Sequence, residues 1–415
     1  MLRGMRASRA WLACLLLLLT LGCQADSNDD LPAVTPSRSG PAGMDTSLRE
    51  AALALVDQRE EALRSGDRDA FLATVDPDEL AFSSTQARWF DNLGQLPVTD
   101  VSYELGDESV MTQVAGAGDL QLPVDFTMRM RGFDRHPVTQ RMVWTFVRDG
   151  NDALLADDRN VQIEAKTGWT PAPWDLTRIE VRHVGGILAI FDKETVDNAD
   201  YVMEDLFDAT EVVSRHVPPW SEHFIAYGTS DVSAIDEMSA MDVEDTAGVA
   251  FPVLAREGGP VAAYRFMVNP NLIGDVLSRG EVFRHELAHV ALGTTDDRSP
   301  VWLVEGAAEY VARTTLPVDS RRQIAAARLF LSEERTLEPS GRFYTRDPAL
   351  NYELASLVCD YLASTRGEDA LWGLVRTFRT ARFSAWAETE GIVRRELGMS
   401  TRELSRQALA WARAA

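Results

Sequence analysis

Val282-Phe283-Arg284-His285-Glu286-Leu287-Ala288-His289-Val290-Ala291-Leu292 decides how the rest of this 415-residue chain is read. Apolar residues surround the polar ones, so the stretch predicts a largely buried helix. Buried histidines and a buried glutamate are costly unless they are paired or bind a metal. Residues four apart on a helix lie one turn above each other, so both imidazoles reach a single ion. Sixteen positions after His289 comes Glu305, in a second apolar stretch of helical character from Val301 to Val311. Two helices joined by a polar loop can place His285, His289 and Glu305 around one zinc ion, with a fourth position left open. Glu286, beside the first histidine, is then placed to hold the reacting water.

The third ligand has competitors. No histidine follows His289, which excludes a His-x-x-Gly-x-x-His continuation with three histidine ligands. Asp296 and Asp297 lie only seven and eight residues past His289, where turn and helix-capping chemistry with Ser299-Pro300 is expected. Glu309 stands one turn beyond Glu305. It reads either as a solvated surface acid or as a carboxylate that orients a zinc-ligating imidazole.

His285-Glu286-Leu287-Ala288-His289 followed by Trp302-Leu303-Val304-Glu305-Gly306-Ala307-Ala308-Glu309-Tyr310 resembles the gluzincin metallopeptidases of the MA clan, over roughly residues 178 to 380. The resemblance implies a zincin-like domain over 178–415 whose C-terminal half is mostly helical. It also implies a zinc-dependent hydrolase with one zinc ion per chain on His285, His289 and Glu305 and Glu286 as general base; the expected reaction is water attack on a peptide carbonyl, with a peptide or protein as substrate. The chain lacks a Gly-x-Met-Glu-Asn element upstream, which reads a free amino terminus in the aminopeptidase branch. An endopeptidase is therefore expected. In such enzymes an edge strand ahead of the motif helix pairs with extended substrate. Ala262 to Val268, ended by Asn269-Pro270, occupies that place in the sequence. Tyr264 and Phe266 are its candidate substrate-binding residues, and an ordinary strand is the equal alternative. A tyrosine after the third ligand would stabilise the oxyanion, Tyr352 being the first candidate and Tyr344 the second.

Upstream, residues 46–160 predict an α+β domain. Ser47-Leu48-Arg49-Glu50 has the form of a capping box opening a helix to about Leu63. Helices from Asp67 to Val75 and from Thr85 to Asn92 follow. Alternating segments then run Val98–Leu105, Ser109–Val114, Leu120–Arg131 and Val138–Arg148. Their order and lengths are similar to the cone-shaped nuclear-transport-factor-2-like fold. Asp134 and His136 carry no assigned chemistry there. Residues 161–177, with Trp169, Pro171, Pro173 and Trp174, read as a rigid connector. His183, His216 and His223 share no ligand-like spacing and read as structural.

Residues 1–22 read as a signal peptide, with Arg3, Arg6 and Arg9 ahead of the apolar run Trp11 to Leu19. Leu19-Thr20-Leu21-Gly22-Cys23 is a loose lipobox, so Cys23 is the expected lipidation site and anchors an extracytoplasmic bacterial lipoprotein to the membrane. Residues 23–45 are rich in Asp, Ser, Pro and Gly and read as a flexible tether. A formal charge of −23 argues against nucleic acid as a partner, since phosphates require a basic footprint. Cys359 is then the one cysteine left, placed in an apolar helix as a core residue. A second functional reading is a tethered ligand-binding or scaffold module whose peptidase domain is catalytically degenerate.

Overall fold

The computed structural model describes residues 46–106, 119–159, 171–232, 246–274, 276–329, 335–381 and 386–415. The signal peptide, the lipobox, the tether and the segment Ser109–Val114 lie outside the described residues. The fold is α+β. By contacts the described chain divides into two units: 46–178 with 254–260, and 179–253 with 261–415.

In the first unit, helix α1 (Thr46–Ser65) is followed by α2 (Arg68–Leu72) and α3 (Leu80–Leu93). Asp67 caps α2 by accepting from the Ala70 amide, which satisfies one of the donors that a helix start leaves open. The four strands β1 (Val98–Leu105), β2 (Leu120–Met130), β3 (Val138–Asp149) and β4 (Asp152–Asp157) form an antiparallel sheet in sequence order. Alternation sets the register: Val124, Phe126, Met128 and Met130 of β2 point into the core. Helix α3 begins five residues before the expected Thr85, and β4 has no counterpart in the sequence reading. The connector ends in the short α4 (Pro173–Leu176), which is tied to α3. Asn92 donates to the carbonyls of Trp174 and Thr177, and the Trp89 indole donates to Asp175. Asp134 accepts from the Met130 amide, closing the turn after β2, and His136 is exposed.

The second unit holds a five-stranded sheet and a helical half. Its strands are β5 (Ile179–Val184), β6 (Ile187–Asp192), β7 (Phe224–Tyr227), β8 (Gly248–Leu254) and β9 (Val261–Val268), in the order β5-β6-β7-β9-β8. β6 is buried along its whole length, as a strand covered on both faces must be. Helix α5 (Ala199–His216) connects β6 to β7, which run parallel. The motif helix α6 (Val276–Leu292) packs on α5 and against β9.

This order corrects the reading of Ala262 to Val268. β9 lies between β7 and β8, so it is an interior strand, and Tyr264 and Phe266 do not sit on a sheet edge. Phe266 is fully buried between the rings of Phe224 and Phe283. Tyr264 donates its hydroxyl to Asp297 at 2.7 Å. The outer strand on this side of the sheet is β8, which has no counterpart in the sequence reading.

Beyond α6 come α7 (Val301–Arg313), α8 (Val318–Arg328), α9 (Ser340–Phe343), α10 (Pro348–Arg366), α11 (Glu368–Thr380), α12 (Trp386–Leu397) and α13 (Thr401–Arg413). Ser400 caps α13 by accepting from the Glu403 amide. Helix α7 lies against both α6 and α10, and every residue from Val301 to Ala312 is buried. Gly306 permits the approach to α10. A Cβ there would lie 2.5 Å from the Ala355 carbonyl oxygen and 2.9 Å from Cys359 Sγ. Cys359 is a free, buried core residue, and burial pushes its thiol pKa up. His216 joins the helices elsewhere: its Nδ1 is 2.6 Å from Glu368 Oε1, which also accepts from the Tyr310 hydroxyl.

Candidate metal centre

Helix periodicity on α6 puts His285 and His289 one turn apart, on a helix clasped by α5, β9 and α7. Both imidazoles and Glu286 have no solvent exposure. Helix α7 brings Glu305 to them from the other side, also fully buried. The nitrogen atoms Nε2 of His285 and His289 stand 3.1 Å apart. Glu305 Oε2 is 3.4 Å from the first and 3.6 Å from the second.

These separations test whether the residues fit a metal. Ligand atoms about 2.0–2.1 Å from a tetrahedral zinc lie roughly 3.3–3.4 Å from one another. The three observed spacings bracket that value, and the donor set of two imidazole nitrogens and one carboxylate oxygen suits zinc. Among the described residues this is the one such group of three or more potential ligands. Without a cation, two imidazole nitrogens and a carboxylate converging in a dry interior are costly. The same convergence shows in Glu305. Burial works to raise its pKa, and the imidazoles of His285 and His289 outweigh this and draw it down to about 2.

The surroundings hold these three side chains in place. Tyr344, from the turn after α9, donates its hydroxyl to Glu305 Oε1 at 2.7 Å, leaving Oε2 facing the histidines. Glu309 is 1% exposed, which excludes the solvated-acid reading. Its Oε1 lies 3.2 Å from His285 Nδ1, and its Oε2 lies 2.7 Å from Arg313 Nη2. Burial opposes ionisation of Glu309, but Arg313 and then His285 hold its pKa below the ordinary carboxylate range. Tyr352 lines the same wall, its ring 6.4 Å from that of His285 and 5.1 Å from Phe343. The Tyr344 hydroxyl thus meets Glu305 directly.

Asp296 departs from expectation. Helix α7 is preceded by Pro300 at its N-cap, with no side chain capping it. The Asp296 carbonyl accepts from the Ser299 amide, but both its carboxylate oxygens are buried without a hydrogen-bond donor among the described residues. Burial, then the nearby charges of Asp297 and Glu305, raise its pKa well above normal. Asp296 is not in the group of ligand atoms around His285.

The sequence reading missed β8 as a wall of this site. Its first residue, Gly248, lies so close to Glu286 that a Cβ would stand 2.8 Å from Oε1. The backbone of an outer strand therefore runs directly past the carboxylate next to the metal ligands. Pro252 was the available signal, because proline within a strand is confined to sheet edges and bulges. No protein-family model matches the chain, and no curated protein matches it.

Proposed function

We propose that this protein is a zinc-dependent hydrolase of peptide bonds, acting as an endopeptidase and held at the outer face of a membrane by a lipid on Cys23. The observation that carries the reading is the convergence of His285 Nε2, His289 Nε2 and Glu305 Oε2 within 3.6 Å of one another in a fully buried site. Among the described residues three protein ligands meet there, which leaves one position for substrate chemistry and disfavours a purely structural zinc. The export address rests on the sequence of residues 1–23.

His285, His289 and Glu305 would hold the ion, which when bound lowers the pKa of a water to about 7 and polarises a carbonyl. The chain's own residues do the rest. Glu286, on the same helix as both histidines, accepts a proton from the attacking water and returns it to the departing amine. Its carboxylate faces β8, whose outer edge offers backbone donors and acceptors to an extended peptide. Pairing of that kind reads the main chain and selects weakly among side chains, which suits cleavage inside a chain. Tyr344 gives its one hydroxyl proton to Glu305, so Tyr352, whose ring stands 6.4 Å from that of His285, is the candidate to serve a developing oxyanion.

Two substitutions test the assignment. Glu286→Gln should retain one zinc per chain and lose peptide hydrolysis, while Glu305→Ala should lose most of the zinc. Turnover retained by Glu286→Gln removes the general-base role. Unchanged zinc content in Glu305→Ala moves the third ligand elsewhere.

A further inference from the structure

Glu305, Glu309 and Arg313 follow one another at intervals of four on α7, so all three share the face turned toward α6. Glu305 reaches the metal position and Glu309 reaches the far nitrogen of His285. Arg313, whose side chain is 13% exposed, ends the row. Every nitrogen of its guanidinium is engaged. Nη2 meets Glu309 Oε2 at 2.7 Å, on its own helix. Nε donates to Glu281 Oε1 at 2.9 Å, and Glu281 lies one turn ahead of His285 on α6. Nη1 donates to both Glu353 oxygens, at 3.3 and 3.2 Å, and to Ser356 Oγ at 3.3 Å, both on α10. Arg328 of α8 holds Glu353 from the other side at 2.8 Å.

We infer that Arg313 is a positioning residue of the metal centre, acting through Glu309 on His285. The inference rests on the zinc reading above and adds a residue that touches no ligand of the ion. Glu309 has rotamer freedom, and one carboxylate oxygen alone does not fix which way it turns. Arg313 takes Oε2, so Oε1 is left aimed at His285 Nδ1. That contact fixes the ring's orientation and tautomer, with Nε2 presented to the ion. The planar guanidinium reaches three carboxylates on three helices at once. A lysine, a point charge on a flexible stem, can satisfy Glu309 but not the whole set. Removing the cation strands Glu309 as a buried, uncompensated carboxylate, which then turns away from His285 or drags its helix.

The test is zinc affinity of the full chain, measured by competition with a chromogenic chelator. The set comprises wild type, Arg313→Met, Arg313→Lys, Glu309→Gln, the double variant R313M/E309Q, and Glu353→Gln. Melting of the metal-free proteins is followed in parallel. Arg313→Met and Glu309→Gln should each weaken zinc by about 10–100-fold, the range for outer partners of metal ligands. The double variant should be no weaker than the worse single, because both changes cut one chain of contacts. Arg313→Lys should fall between wild type and Arg313→Met. Glu353→Gln, which cuts a different arm of the network, should stay within about twofold of wild type.

Zinc affinity unchanged in Arg313→Met overturns the inference. So do losses that multiply in the double variant, or a loss in Glu353→Gln equal to that in Arg313→Met, since each describes a guanidinium that only holds helices together. If Arg313→Met does not fold, the comparison of Arg313→Lys with Glu353→Gln decides by the same criteria. Wild-type protein that takes up no zinc overturns the zinc reading itself, and a wild type that binds zinc normally leaves that reading intact whatever Arg313 does.

Discussion

At the scale of single residues, charge is placed where burial makes it expensive. Glu305 and Glu309 have cationic or imidazole partners that hold them ionised, and Asp296 has none among the described residues. A folded-state pKa raised above the unfolded value means that the folded chain keeps a proton the unfolded chain gives up. Asp296 therefore costs nothing below about pH 4, near its unfolded pKa, and costs progressively more as pH rises toward its folded value. Asp296→Asn keeps the shape and removes the charge. In metal-free protein its melting temperature should match wild type near pH 4 and exceed it at pH 8. A lower melting temperature for the variant at pH 8 would show that Asp296 is ionised and paired.

At the scale of elements, α7 is the piece on which the site depends, because it touches α6 with one face and α10 with another. Gly306 sits at the second contact. Gly306→Ala forces a methyl against the Ala355 carbonyl and Cys359, so the helices must separate. Overpacking of this kind costs about 1–3 kcal/mol, and the variant should melt at lower temperature and bind zinc more weakly. A variant as stable as wild type would mean that the α7–α10 contact is loose. Gly248→Ala acts at β8 instead. It presses on Glu286, so kcat should fall while zinc content stays at one per chain; unchanged kcat would remove β8 from the site wall.

Those elements also separate what the sequence made legible from what it hid. The two histidines obey helical spacing, a local rule, and Glu305 stood out within a second helical stretch, so each could be read from its own segment. Arg313 obeys the same spacing from Glu309, but its other two carboxylate partners, Glu281 and Glu353, come from two further helices that only tertiary packing assembles. The order of strands in a sheet is nonlocal as well. The segment nearest the motif in sequence, β9, became interior, and the preceding strand β8 took the edge. The burial of Asp296 was hidden for a related reason: its two loop neighbours pointed to a turn, while the carboxylate's surroundings depend on how α6 and α7 close together.

At the scale of the molecule, the three residues proposed to hold zinc all belong to one of the two units, the one formed by 179–253 and 261–415. A ligand that binds only the folded state stabilises it by about 4 kcal/mol at a thousandfold excess over its dissociation constant. Chelation should therefore lower the melting transition of that unit and leave the transition of 46–178 in place. A chelator that shifts neither transition would mean that zinc is not part of the folded protein.

The central claim is hydrolysis, and a peptide-library cleavage assay tests it most directly. Purified protein should cut internal bonds, stop when zinc is removed by a chelator, and recover when one equivalent of zinc is restored. Protein that holds one zinc per chain on His285, His289 and Glu305 and cuts no peptide, with or without added metal, would contradict the account and favour a binding module built on a peptidase frame.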